Sequence, residues 1–317
     1  MRRHSFEGTV LVALTGLMAF ALAACGGGDD DGPTEPLQTG TVRVALTDAP
    51  GNLVRAEIDI AQIVLRGTGG ATVLRDQSQP ERFDLVQLDG VTVPLGEVRG
   101  IPVGTYGQLG LFLRQALIET ESGEIYSRSG AHPDPTGDLV CTICSLAPEG
   151  IPAYIGGEGL VLEDGETETI ILDFDAFRSF SPESETGDWE LDPAVSAAVE
   201  GLTGTVSGTV EIPQLNPVPG SCGGRSTIEL FTPVLVDADN PDATWAGRTR
   251  PDGSYEIDLV PPGNYEISYV STYELGDQVL TLQADPNRIG GLPVEVGQTT
   301  SLGFALSSGS CETVGAD

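Results

Sequence analysis

The chain has 317 residues, with 15 basic against 47 acidic side chains and a formal net charge of −32; every basic residue is arginine. Such a surface repels nucleic acid and anionic headgroups, and a chain without lysine excludes Schiff-base chemistry and lysine–asparagine isopeptide crosslinks. At 39 % hydrophobic it can bury cores, its length suggests two domains, and 42 Gly with 22 Pro argue for strands and tight turns.

The first element is a leader. Arg2 and Arg3 precede an apolar run over 10–24 that closes on Leu22-Ala23-Ala24-Cys25. A charged start, an apolar stretch shorter than the roughly 20 residues of a spanning helix, and a small-residue cleavage site predict a signal peptide over 1–24. Cysteine at that point resembles the bacterial lipobox. The resemblance implies lipid attachment at Cys25, a membrane partner reached through that lipid, and a place in the cell envelope. Gly26 stands where an aspartate would mark inner-membrane retention, which favours the outer membrane in a Gram-negative source. Residues 25–39 show no periodicity and read as a flexible tether.

Order is expected from Gly40. Val42, Val44 and Leu46 alternate with Arg43, Ala45 and Thr47, the period of a half-buried strand. Thr47-Asp48-Ala49-Pro50-Gly51 reads as a turn. Val54, Ala56, Ile58 and Ile60 alternate again, and the phase slips near 61–63, where a bulge is expected. Short strands follow over 71–75, 82–88 and 91–95. No stretch keeps a helical period over three turns.

Two turn motifs recur in the same order. Ile101-Pro-Val-Gly-Thr-Tyr106 and Val260-Pro-Pro-Gly-Asn-Tyr265 each contain P-x-G-x-Y, and each leads into alternating apolar residues. Gly165-Glu-Thr-Glu-Thr-Ile170 and Gly297-Gln-Thr-Thr-Ser-Leu302 each precede a further strand. The interval from Tyr106 to Gly165 exceeds that from Tyr265 to Gly297 by 27 positions, which an inserted loop at about 121–150 would explain. The halves are therefore expected to share one topology.

That loop holds His132, the one histidine beyond the leader, with Cys141 and Cys144 as C-x-x-C. These could form a small disulfide loop, contribute to a zinc or copper site that lacks its fourth ligand, or act in redox chemistry. Setting Cys25 aside leaves four cysteines, an even number for an oxidising compartment, with Cys222 and Cys311 expected to pair. On the strand 170–176, Ile170, Leu172 and Phe174 face the core, so Asp173 and Asp175 point the other way. They are either a solvated outer face or, with Asp48, the ligands of a calcium ion, the one cofactor the pattern admits.

Signals for catalysis are weak. There is no G-x-S-x-G elbow, and carboxylate pairs such as Glu163/Asp164 or Glu183/Glu185 are expected by chance among 47 acids. Val236-Asp-Ala-Asp-Asn-Pro-Asp242 begins like a calcium loop but breaks at Pro241 and reads as a turn.

Two resemblances cover most of the chain. Gly204-Thr-Val-Ser-Gly-Thr-Val210, the hairpin Asp252-Gly-Ser-Tyr-Glu-Ile257, Leu259-Val-Pro-Pro-Gly-Asn-Tyr265 and Val296-Gly-Gln-Thr299 resemble the carboxypeptidase regulatory-like domain. This implies a transthyretin-like β-sandwich, grouped with carbohydrate-binding-like folds, over 201–308, with 309–317 as a tail. Val44-Ala-Leu-Thr-Asp-Ala-Pro50, Phe83-Asp-Leu-Val-Gln-Leu88, Ile101–Tyr106 and Leu172-Asp-Phe-Asp-Ala176 resemble the uncharacterised domain of unknown function four-three-eight-two of bacterial and archaeal lipoproteins. That resemblance covers 40–198, implies a sandwich, and assigns no activity.

The expected molecule is all-β, with two β-sandwich domains (transthyretin-like or Ig-like) behind a signal peptide and tether. Its expected function is that of a non-enzymatic, lipid-anchored binding module for a glycan, with Trp189, Trp245, Tyr269 and Tyr273 as candidate stacking residues. The alternative is a structural or assembly lipoprotein that docks an envelope protein, and a carboxylate-based glycan hydrolase stands third. No nucleic-acid partner is expected.

Overall fold

The computed structural model describes residues 37–48, 53–88, 90–146, 149–182, 187–213, 217–275 and 278–313. The leader 1–24, Cys25, most of the 25–39 tether, and the end of the 309–317 tail lie outside the described residues. From Leu37 the chain is one compact unit holding two hydrophobic cores, one running from Val42 to Val199 and the other from Val206 to Leu306. We refer to them as the first and second lobe. The fold is all-β, and the described helices α1 (Thr142–Leu146), α2 (Ala176–Ser179) and α3 (Thr227–Leu230) span no more than five residues each.

Each lobe is a sandwich built on the same frame. In the first lobe the frame strands are β1 (Thr39–Thr47), β2 (Arg55–Gly67), β3 (Val93–Pro102), β4 (Gly104–Glu119), β5 (Leu160–Leu162) and β6 (Thr167–Phe174). In the second they are β7 (Gly204–Glu211), β8 (Pro233–Asp237), β9 (Ser254–Val260), β10 (Gly263–Tyr269), β11 (Ile289–Val294), β12 (Thr299–Ser301) and β13 (Phe304–Thr313). One sheet centres on β1, antiparallel to β3 and parallel to β6. Its counterpart centres on β7, antiparallel to β9 and parallel to β12 and β13. The facing sheets carry β2–β4–β5 and β8–β10–β11, all antiparallel.

Alternation explains these strands. Along β1, Val42, Val44 and Leu46 are buried while Arg43 is exposed. Side chains of period two place one face on the core and the other away from it. The P-x-G-x-Y turn is where the chain leaves one sheet for the other, after β3 in the first lobe and after β9 in the second. Both tyrosine rings are fully buried, and each hydroxyl donates back across its turn: Tyr106 to the Pro102 carbonyl and Tyr265 to the Pro261 carbonyl, both at 2.7 Å. A buried hydroxyl needs a partner, and this one pins the corner. The second motif is equivalent too, since Gly165 N–H donates to Thr39 O at 2.9 Å and Gly297 N–H to Thr203 O at 2.8 Å. The tetrapeptide Thr-Gly-Thr-Val stands at 39–42 and again at 203–206, a repeat the turn motifs alone did not expose.

Several local expectations are refined. The bulge is at Ala61, where the β2–β4 register skips from Ile60 to Gln62. Residues 82–88 are not one strand: Arg82–Asp84 pairs with β2, and Leu85–Leu88 turns into a single 3₁₀ turn that buries Leu85 and Leu88. Those leucines are three apart, the spacing that a 3₁₀ turn brings to one side. The strand expected at 91–95 is β3, which continues to Pro102. Residues 121–150 are more than a loop. Ile125–Arg128 extends the β2–β4 sheet, Gly137–Val140 pairs with it in parallel, and Tyr126, Leu139 and Cys141 belong to the first core.

Candidate functional site

The lobes meet along a surface drawn from few residues. Helix α2 (Ala176–Ser179) follows β6 directly, because Asp175 caps it by accepting from Arg178 N–H at 2.9 Å. The helix places Phe177 and Arg178 toward the second lobe. Phe177 packs against that lobe's core and lies under the Arg225 guanidinium, 5.5 Å from the ring centroid. Arg178 donates to Thr244 Oγ1 at 3.2 Å. Trp245, 2 % exposed, meets Tyr265 edge-on at 5.5 Å. Its outer ring lies so close to Gly156 that a Cβ there would stand 2.8 Å from Trp245 Cη2 and 2.7 Å from Pro261 Cγ. Only glycine admits that approach.

Beside this contact lies a cleft of about 560 Å³ lined from both lobes. Asp48 and Asp173 come from the first lobe; Glu229, Glu256, Asp258, Arg248 and Arg250 come from the second. Clefts between lobes with shifted titrating groups are the default place to look for function. Burial, reinforced by the charges of Asp175 and Asp258, pushes the Asp173 carboxyl up to about 7, with Arg178 pulling the other way. Asp175 and Asp258 are also raised, each mainly by burial. Leu259 lines the cleft in a left-handed conformation (φ 56°), which is strained for a residue with a Cβ. It sits in the bulge where the β7–β9 register skips from Val260 to Ile257. Asp258 in that bulge accepts from Thr205 Oγ1 at 2.9 Å.

Two of the three candidate calcium ligands, Asp48 and Asp175, have a structural role at α2. Asp48 Oδ1 accepts from Ala176 N–H at 2.8 Å and Asp175 Oδ1 from Arg178 N–H, so the two carboxylates organise the start of α2. Among the described residues no group of acidic, histidine or cysteine side chains is arranged to hold a metal. The solvated-face reading is corrected, because the second lobe covers that side of β6. Strand alternation located the face; nothing local could say what lies on it.

The stacking row is corrected for a related reason. Trp245 and Tyr273 are buried, while Trp189 and Tyr269 are half-buried. Tyr269 stacks on Phe231 with centroids 5.0 Å apart and accepts from Ala284 N–H at 2.7 Å, and Tyr273 accepts from Thr232 N–H at 2.9 Å. Trp189 leans on Tyr126 at 5.8 Å. Large apolar area and a polar handle draw such rings into cores, so these four do not form an exposed row.

Both cysteine pairs are bridged, Cys141 to Cys144 and Cys222 to Cys311, with Cα separations of 5.4 and 5.7 Å. Bridged thiols are not metal ligands. His132 Nδ1 accepts from Asp134 N–H at 3.2 Å. Asp164 Oδ1 accepts from Thr39 N–H at 2.9 Å, and Glu183 and Glu185 lie outside the described residues. Asp237 accepts from the Asp239 and Asn240 N–H groups, the turn expected there. Sequence reasoning missed Phe177, Arg178, Gly156 and Asp258, whose roles arise only when the lobes meet.

Residues 39–193 match the family model described as Domain of unknown function (DUF4382). No curated protein matches the sequence. Among solved structures, the major pilin subunit BcpA of Bacillus cereus is 10 % identical, with 85 % of this chain and 70 % of that one covered at a TM-score of 0.24. The minor pilin GBS52 of Streptococcus agalactiae is 8 % identical, with 83 % and 94 % covered at a TM-score of 0.24. The chain spans 27 % of a leucine-rich repeat protein from Bacteroides thetaiotaomicron (86 % of this chain covered, 10 % identical, TM-score 0.19). It spans 34 % of the Bacillus anthracis TIE protein. TM-scores this low carry no argument about activity.

Proposed function

We propose that this is a lipid-anchored cell-envelope protein whose two sandwiches pack into one non-catalytic body that spaces or docks other envelope components. The fitted junction carries this reading. Trp245 against Gly156 and Pro261, and Phe177 between Arg225 and the second core, favour lobes that dock on each other over two independent modules. Interfaces between domains of one chain move by default unless they are well packed. The glycan reading loses support because the four rings chosen for it serve the cores. The anchor rests on Cys25 and the leader pattern.

Two measurements test the proposal. In a bacterial host, the full chain should partition with membranes carrying lipid on Cys25, and Cys25→Ser should accumulate as precursor; normal processing of that variant removes the anchor. The same protein should leave a glycan array blank. A glycan bound more tightly than about 1 mM, with binding lost in Trp189→Ala or Tyr269→Ala, overturns the docking reading in favour of a carbohydrate module.

A further inference from the structure

We propose that the lobe junction is a pH-dependent latch, docking more tightly in mildly acidic surroundings than in alkaline ones because closure brings Asp173 of the first lobe and Asp258 of the second into one cleft. The latch does not depend on the lipid anchor or on what the body docks.

The geometry assigns the parts. Asp173 is on β6 with its side chain on the face away from the first core, half-buried where the second lobe covers that strand. From its own lobe it faces Asp48 at the end of β1, and Asp175 and Arg178 at α2. From the second lobe the cleft presents Glu256 and Asp258 on β9, Arg248 and Arg250 on the neighbouring edge, and Glu229 on α3 (Thr227–Leu230). Two of the three cations are engaged by other carboxylates: Arg178 Nη1 is 3.8 Å from Asp175 Oδ2, and Arg250 Nη2 is 3.2 Å from Glu256 Oε2. No ion pair or hydrogen bond to the Asp173 carboxylate is present among the described residues. The strained bulge at Leu259 fixes Asp258 in the cleft, the re-aiming of a side chain for which bulges are used.

Like charges in a closing, poorly solvated space oppose closure unless one is protonated. Asp173 in the docked form titrates at about 7 against 3.8 for the free group. To the extent that docking raises this carboxyl, the docked form keeps a proton that the open form has lost, so docking weakens as pH rises toward about 7 and then levels off. Asp258 is raised as well, mainly by its own burial.

Single-tryptophan versions of the full chain provide the test. Trp189→Phe leaves Trp245 as the junction probe, and Trp245→Phe leaves Trp189 as the first-lobe probe. In urea titrations the junction opening constant should rise by about tenfold or more from about pH 5 to about pH 8, while the first-lobe transition moves less. Asp173→Asn, which removes a charge without changing shape, should hold the junction closed at the higher pH and flatten that rise to less than about threefold. Asp258→Asn should recover part of it. An unchanged pH response in Asp173→Asn overturns the latch. A response unchanged in Asp258→Asn overturns it too, since the repulsion would then lie within the first lobe.

Discussion

The two lobes share a frame and differ in how each completes it. At the bulge before the corner turn, the first lobe places Gly100 at φ 76°, while the second places Leu259 at φ 56° in the equivalent position. Along the central strand, the first lobe buries Val44 where the second has Gly208, because a gap between β12 and β13 brings Leu302 O within 1.5 Å of where a Cβ would stand. The first lobe enlarges the sheet that holds β4, whereas the second enlarges the sheet that holds β7. Charge differs as well. The first lobe buries Asp59 against Arg114 at 3.2 Å, and the second fills its centre with Phe231, Tyr255, Tyr269 and Phe304. A hydrogen-bonding frame tolerates these exchanges because the ladders and the corner tyrosines are kept. Where the frame is under strain, in Leu259, the strain lies at the cleft.

The comparison breaks most visibly at the disulfides. Replacing Cys222 and Cys311 by serine removes a link across 89 residues and should cost the second lobe about 4–5 kcal/mol. The same change at Cys141 and Cys144, three residues apart, should cost about 2 kcal/mol. Urea midpoints of the two double variants compare them, and equal losses contradict the assignment.

Gly208→Val imports the first lobe's residue into the second and should cost about 3 kcal/mol, since backbone must move to admit the side chain. Thermal unfolding that matches wild type denies the close approach. The bulge exchange sharpens the same point: Gly100→Leu should cost about 1–2 kcal/mol, and Leu259→Gly less than about 0.5 kcal/mol, because relief of left-handed strain offsets the lost apolar area. Equal costs would mean that the two positions are not equivalent.

A single hydrogen bond at each corner gives a further test. Tyr106→Phe and Tyr265→Phe should each lose about 1 kcal/mol, with Tyr265 losing more because its bond to Pro261 is fully buried and leaves an unsatisfied carbonyl. If Tyr265→Phe is neutral and Tyr106→Phe is not, the corners are alike in sequence only.

Much of this was legible in the chain. Alternation in 42–46 and the phase slip near Ala61 predicted a strand and a bulge, and paired turn motifs predicted a shared topology, because local patterns fix local geometry and pairing register. The Cys222–Cys311 pairing was legible from the number of cysteines, whereas the Cys141–Cys144 bridge was one of three readings that spacing alone left open. Strand 82–88 was misread because Leu85 and Leu88 suit a strand and a 3₁₀ turn equally well by hydrophobicity.

What the sequence determined by itself was which residues turn inward and where the chain changes sheet, since these depend on neighbours a few positions away. Only the tertiary structure decided that the outward face of β6 is covered, that Trp245 and Tyr273 serve cores rather than an open surface, and that Asp173 and Asp258 share a cleft. Those outcomes depend on groups tens of residues apart in the chain, whose mutual burial and charge exist only once the lobes are packed together.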